Sequence, residues 1–270
     1  MTVNYSTILD HMVATAREAG ALTLEHFRRF RDIEIGIKGP GDFVSDADME
    51  SETLIRKQLL GRYPWGLTGE EFAPVEGPDT EHRWLVDPID GTTNFIYGQH
   101  YTITIALRRG NETICGLVYN PVAEEMFTAI KGEGAYLNGT RLEVSASTDV
   151  ALMCVGTGLP TPNLSLHPGA YQRLDEIRAP IGAVRVVGSA ANSCAYVACG
   201  RLTGYYEETG FIDTAGGILI VQEAGGIVTD WWGRGPEVYE RTGTLIVANA
   251  ATHAYLIERL RGVPPKDVTG

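Results

Sequence analysis

Several things are missing from this 270-residue sequence. It has no apolar run long enough to cross a bilayer as a helix, which takes about eighteen residues or more. The N-terminal stretch MTVNYSTILDHMVATAREAG lacks a basic segment followed by an apolar core, so it does not read as an export leader, and the chain reads as cytoplasmic with no membrane partner. Cysteine is scarce. Cys115, Cys154, Cys194 and Cys199 form no C-x-x-C pair and none stands beside a histidine, which points to reduced core thiols rather than disulfides or zinc ligands. The six histidines are scattered and form no H-x-x-x-H or H-E-x-x-H pattern. Any metal must therefore be held by oxygen, which favours Mg²⁺ or a similar hard ion. Basic residues are also few: 22 against 34 acids, a net charge of −12. That weighs against a nucleic-acid partner held by phosphate neutralisation. It does not weigh against a small phosphorylated ligand, because a bound cation inverts the local sign.

The length allows one large domain or two modest ones, and 44% hydrophobic residues suffice for a substantial core. Ile8, Leu9, Met12, Val13, Ala16, Ala19, Leu22 and Phe27 recur at helical spacing, predicting an amphipathic helix over residues 5–30. DIEIGIK (32–38) alternates like a strand. Ser45 or Asp46 caps a second helix with Met49, Leu54, Ile55 and Leu59 inward, ending near Gly61 and Pro64. RWLVDPI, YTITIALRR, TICGLVYNP and EEMFTAI then read as successive strands. GEGAYLNG is not a dinucleotide loop, since Leu137 stands at the third glycine position; Asn138-Gly139 is a hairpin turn. Beyond about residue 150 the rhythm becomes strand–helix: a strand at 150–155, a helix at 168–179, AVRVVG, a small-residue helix from Ser189, LTGYYE, a helix DTAGGILIVQEAGG begun by Asp213, IVTD, TLIVAN and a closing helix at 250–261. Such alternation suggests an α/β half. The join falls near 140–150. It divides an N-terminal α+β half (1–145) from a C-terminal α/β half (146–270), packed as one compact unit.

The candidate chemistry lies in WLVDPIDGTTNF, residues 84–95. Pro88 cannot donate to a β-ladder, so the apolar strand is expected to stop there. Asp87 and Asp90 then flank its end, with no Lys or Arg in the stretch. A strand end followed by a turn accounts for the pattern. So does a divalent cation, because buried carboxylates are costly unless paired or bound to metal. Gly91 lets a ligand approach the backbone, and Thr92 and Thr93 add hydroxyls and N–H groups suited to an anion. The Asp-Pro-Ile-Asp spacing is not the Asp-x-Asp of aspartyl-phosphate phosphatases. Taken singly, Asp48 reads as a solvated first-turn acid, Asp213 as a helix N-cap, and Glu70 and Glu71 as loop charge.

Together, DPIDGTTNF, the upstream GEE and the downstream IDTAGG resemble the inositol monophosphatase family. DFVSDAD and GSAANSCAYVACGRLTGYYE match further segments of the family pattern, so the resemblance spans roughly residues 38–249. It implies a five-layer α/β/α/β/α sandwich, commonly a homodimer, and two to three Mg²⁺ ions. It further implies lithium-sensitive hydrolysis of a small phosphorylated metabolite by direct attack of a metal-activated water. Carried over by residue, Glu70, Asp87 and the Ile89 carbonyl match one metal site, and Asp87, Asp90 and Asp213 a second. Glu70 with water, assisted by Asp48, matches a third. Asp90, Gly91 and Thr92 lie at the phosphate. Glu70 with the Thr92–Asp48 pair activates the water, Lys38 is a nearby base, and Ala190 and Glu207 touch the alcohol portion. The chain departs from the pattern at Ile212, where the family commonly has Trp, and in a Glu207–Asp213 segment one residue shorter than usual. The substrate classes implied are inositol 1-phosphate, fructose 1,6-bisphosphate, histidinol phosphate and adenosine 3′,5′-bisphosphate. A non-catalytic phosphometabolite- or partner-binding protein and a carboxylate-pair glycosidase are the competing readings.

Overall fold

In the computed structural model, residues 3–32, 35–39, 42–159 and 170–262 are described. Helix α1 (Tyr5–Phe27) is capped by the Asn4 side chain, which accepts the Thr7 N–H at 3.2 Å. Its buried residues Ile8, Met12, Thr15, Ala16, Ala19 and Thr23 form one stripe, as the sequence spacing requires. A 3₁₀ turn, Phe30–Asp32, separates it from the hairpin β1 (Ile35–Gly39) and β2 (Asp42–Ser45). Helix α2 (Asp46–Leu60) follows, with Ser45 at its N-cap.

A seven-stranded sheet runs in the order β3 (Trp65–Gly69), β4 (Asp79–Asp90), β5 (Thr102–Arg109), β6 (Glu112–Asn120), β7 (Glu125–Ile130), β8 (Gly134–Leu137) and β9 (Thr140–Arg141). β3 is parallel to β4; the other neighbours are antiparallel. Its strands alternate faces with period two. Ile103, Ile105 and Leu107 of β5 pack with Trp84 and Val86 against α1 and α2. Leu85 and Ala106 face the other way, towards Ala215. On that second face lie α5 (Ala190–Ala198) and α6 (Phe211–Glu223), whose apolar side chains also cover a second sheet. That sheet has the order β11 (Ala183–Val186), β10 (Cys154–Thr157), β12 (Gly204–Glu208), β14 (Thr244–Ala248), β13 (Ile227–Thr229). Helices α4 (Ala170–Arg178) and α8 (Ala250–Leu260) close its outer face around Val155, Tyr206, Trp231 and Ile246. The result is the α/β/α/β/α sandwich that the resemblance implies. None of the described helices is long and apolar enough to cross a membrane.

The structure corrects several sequence expectations. β4 does not stop at Pro88; it continues to Asp90 through a bulge. β3 and the short helix α7 (Pro236–Thr242) were not anticipated, because β3 carries two glycines in five residues and α7 follows a Gly-rich turn. Asp213 does not cap α6. The helix starts at Phe211, two residues earlier, with Gly210 at the N-cap. The second sheet is mixed: β10 is parallel to β11 and β12, whereas β12, β14 and β13 pair antiparallel. The first residues of the helix expected at 168–179 lie outside the described residues.

Candidate active site

The bulge in β4 aims its acids. In an unbroken strand, Asp87 and Asp90 would point to opposite faces, three residues apart. Here Asp87 pairs with Thr104 and Asp90 with Thr102, so β4 uses three steps where β5 uses two. The extra residue resets the pleat and turns both carboxylates to the face that carries α5 and α6. Pro88 occupies the bulge, where no ladder N–H is required. The Ile89 N–H instead donates to Asp87 Oδ1 at 2.9 Å. The Ile89 side chain is buried with Ala47, Phe95, Ile96 and Tyr101.

Asp90 is held by groups from distant segments of the chain. Its Oδ2 accepts the Ala191 N–H at 2.9 Å and the Thr102 hydroxyl at 3.0 Å, and also the Ser189 hydroxyl; Oδ1 accepts the Ala190 N–H at 3.1 Å. These backbone donors are the first N–H groups of α5, where the helix dipole favours an anion. Even so, burial pushes the Asp90 carboxyl above its usual range against these hydrogen bonds. Burial raises Asp87 further, reinforced by the charges of Glu70, Asp213 and Asp90 and by a hydrogen bond with Glu70. Asp213 is pushed up to about 6 by burial and by Asp90, although the Thr209 hydroxyl donates to it at 3.4 Å. Glu207 is pushed up to about 7, first by burial and then by Asp90, Asp213 and Glu208; the Tyr205 hydroxyl donates to it. Among the described residues, no cation is among the main influences on these four acids.

Among the described residues, no three acidic, imidazole or thiol groups already stand in a closed metal cage. The acids are nonetheless close enough to suppress one another's ionisation, and Glu70 touches Asp87. A set of oxygen donors that cannot all ionise together fits a divalent cation, the partner that would relieve the repulsion.

The remaining candidates flank this cluster. Asp48, expected as a solvated acid, is fully buried: the Ser45 N–H and hydroxyl donate to its Oδ2 at 2.8 and 2.6 Å. Thr92 Oγ1 lies 3.3 Å from Asp48 Oδ1 and 3.2 Å from the Ile89 carbonyl oxygen. Gly91 precedes the short helix α3 (Thr92–Ile96) with φ of 93°. A Cβ there would stand 2.8 Å from the Gly188 carbonyl oxygen. Thr93 is exposed. Lys38 falls in β1, but its side chain lies outside the described residues. Sequence reasoning missed Thr102, Ser189 and Tyr205 as partners of the acids, and it missed Glu52, which is fully buried on α2. Ser and Thr at a helix cap or inside a strand carry no such signal. Nor does Glu52, which with Arg56 four residues on has the spacing of an ordinary solvated ion pair on a helix.

The acids of this five-layer sandwich converge between a strand bulge and two helix starts. A sequence profile of the inositol monophosphatase family matches residues 4–264. The inositol-1-monophosphatase of Mesorhizobium japonicum is 36% identical over 260 residues, covering 95% of this chain and 97% of that protein. The Nus factor SuhB of Pasteurella multocida is 36% identical over 244 residues, covering 89% and 91%. The crystal structure of the extragenic suppressor protein SuhB from Bartonella henselae superposes with a TM-score of 0.89 at 35% identity, covering 94% of this chain and 98% of that one. The chain belongs to the inositol monophosphatase family.

Proposed function

We propose that the protein is a Mg²⁺-dependent phosphate monoesterase that hydrolyses a small polyol phosphate of the inositol 1-phosphate kind. The observation that supports this reading most strongly is the convergence of Glu70, Asp87, Asp90 and Asp213, from separate segments, into a set in which Asp87 and Asp90 are buried and the acids oppose one another's ionisation. Glu70, Asp87 and the Ile89 carbonyl would hold one ion, Asp87, Asp90 and Asp213 a second, and Glu70 with water a third. Bound there, the ions would stabilise charge on the phosphoryl oxygens and acidify water. The chain's own groups do the rest. The N–H groups after Gly91 receive the phosphate, because that turn's φ of 93° presents successive donors without a side chain in the way. Glu70, which is exposed, orients the attacking water and takes its proton. The Thr92 hydroxyl, which donates to the buried Asp48 held by Ser45, accepts a hydrogen bond from that water and so polarises it, while the proton taken by Glu70 is the one returned to the departing alcohol oxygen. No phosphoenzyme is formed.

Ala190 and Glu207 would meet the alcohol portion. Ile212 and the short Glu207–Asp213 segment would then decide between inositol 1-phosphate, fructose 1,6-bisphosphate, histidinol phosphate and adenosine 3′,5′-bisphosphate. The two halves, joined near 140–150, act as one unit, because Asp90 from the first is held by α5 of the second. We further infer a homodimer, cytoplasmic location and inhibition by Li⁺ from the family. Relatives described as Nus factors suggest a second, partner-binding reading; the intact acid set favours catalysis. The test is phosphate release from the four esters with Mg²⁺ present or chelated. Metal-dependent release from one of them supports the reading, and no release from any overturns it.

A further inference from the structure

Helix α2 presents Asp48, Glu52 and Arg56 at four-residue spacing, so all three lie on one face. Asp48 reaches Thr92. The other two reach the turn between β3 and β4, which carries Glu70. Glu52 is fully buried, and its two carboxylate oxygens divide the work. Oε2 accepts the Glu71 N–H at 2.7 Å; Oε1 accepts the Phe72 N–H at 3.3 Å and the Arg56 Nε at 2.7 Å. On the other side of Glu70, Gly69 lies so close to the same carboxylate that any Cβ there would overlap it. Arg56 completes the clasp: Nη2 donates to the Phe72 carbonyl at 2.9 Å and Nη1 to the Ala73 carbonyl at 3.1 Å, with the guanidinium 5.5 Å from the Phe72 ring centre. The residues after Glu70 are held by the Glu52–Arg56 ion pair and Gly69 before it lies against the Glu52 carboxylate, while Glu70 itself stays exposed and points at Asp87.

We infer that Glu52, braced by Arg56, is a positioning residue: it holds the Gly69–Phe72 turn so that the Glu70 carboxylate meets Asp87. This rests on the proposed role of Glu70 as a cation ligand. A carboxylate that accepts backbone N–H groups fixes a turn more firmly than an amide, because the amide offers one acceptor oxygen where two are needed, and its NH₂ would face an N–H. Arg56 keeps the Glu52 charge compensated in its buried setting, and its fork reaches two carbonyls that a lysine cannot serve together. The sequence hides this arrangement, since Glu52 and Arg56 look like an ordinary solvated pair on an exposed helix.

The test is calorimetric titration of the metal-free protein with Mg²⁺ alone, alongside thermal unfolding in chelator. Glu70→Gln sets the reference and is expected to weaken Mg²⁺ binding. Glu52→Gln is expected to weaken the same binding roughly 10- to 100-fold, the range for outer partners of metal ligands. In a Glu70→Gln background it is expected to have no further effect. Arg56→Ala should reproduce part of the loss, and Arg56→Lys should restore less than the wild-type affinity. Unaltered Mg²⁺ affinity in Glu52→Gln, with Glu70→Gln impaired, overturns the proposal and leaves the ligand assignment standing. Unaltered affinity in Glu70→Gln overturns the ligand assignment itself. A Glu52→Gln variant that loses thermal stability in chelator but binds Mg²⁺ like the wild type shows a purely structural role and also overturns the proposal. If Glu52→Gln does not fold, Arg56→Lys decides: wild-type affinity overturns the proposal, and a several-fold loss supports it.

Discussion

Replacing Asp213 with asparagine should stabilise the metal-free protein while it removes function. Burial and the nearby Asp90 charge hold the Asp213 carboxyl at about 6 instead of 3.8. Each pKa unit corresponds to about 1.4 kcal/mol, so the ionised form is penalised by at most about 3 kcal/mol in the folded, metal-free state. Relaxation and solvent at this half-buried site reduce that to roughly 1–3 kcal/mol. Asparagine is nearly isosteric and can still accept the Thr209 hydroxyl, so it removes the penalty without opening a cavity. For a chain of this size, about 1 kcal/mol corresponds to roughly 2–4 °C in Tm. The sign with pH follows from the raised pKa. The folded state binds the proton more tightly than the unfolded state, so this stability contribution is full below about pH 4 and is lost as pH rises through about 6. In chelator at about pH 7.5, Asp213→Asn should therefore unfold several degrees above the wild type, and the gap should close as the pH falls to about 4. Saturating Mg²⁺ should reverse the order, because only the wild type gains the bound ion. Thermal unfolding followed by circular dichroism, with and without chelator, reads all of this. A variant less stable than the wild type in chelator at neutral pH, or one that gains as much from Mg²⁺, would refute the reasoning.

Thr92→Val removes the hydroxyl shared between Asp48 and the Ile89 carbonyl. It is expected to lower kcat about 100-fold or more, with Mg²⁺ affinity unchanged in calorimetry. Gly91→Ala places a Cβ 2.8 Å from the Gly188 carbonyl oxygen at a φ of 93°, and should lower stability by about 2 kcal/mol or more in urea unfolding. Li⁺ at tens of millimolar, about the concentration at which screened charge sites compete, should inhibit Mg²⁺-dependent phosphate release, and unchanged rates there would count against the metal assignment.

The sequence revealed more of the site's chemistry than of its geometry. The helical stripe of α1, the strands β5 to β7 and the Asn138-Gly139 hairpin follow from local periodicity and turn chemistry, and they stand where expected. The strand β4 shows what local reading misses. Pro88 forbids a ladder bond, and the inference of a strand end followed correctly from that. A bulge satisfies the same restriction, and the choice between the two is made by the partner strand, through Thr102 and Thr104. The bulge is also why two acids three residues apart share a face, a fact that strict alternation denies. Asp48 and Glu52 were hidden for a related reason. An acid in the first turns of a helix is normally solvated, and only the tertiary placement of Thr92 and the Glu70 turn buries these two. The α5 donors to Asp90 come from about a hundred residues away, so no local signal links them.

The central claim is that the buried acids form a divalent-cation site for phosphate ester hydrolysis. The most direct measurement is phosphate release from inositol 1-phosphate by the wild type and Asp90→Asn, each with Mg²⁺ and with chelator. The expected result is release by the wild type with Mg²⁺ only, and none by a folded Asp90→Asn in either condition. Wild-type release that persists in chelator, or near-normal Mg²⁺-dependent turnover by Asp90→Asn, would contradict the account.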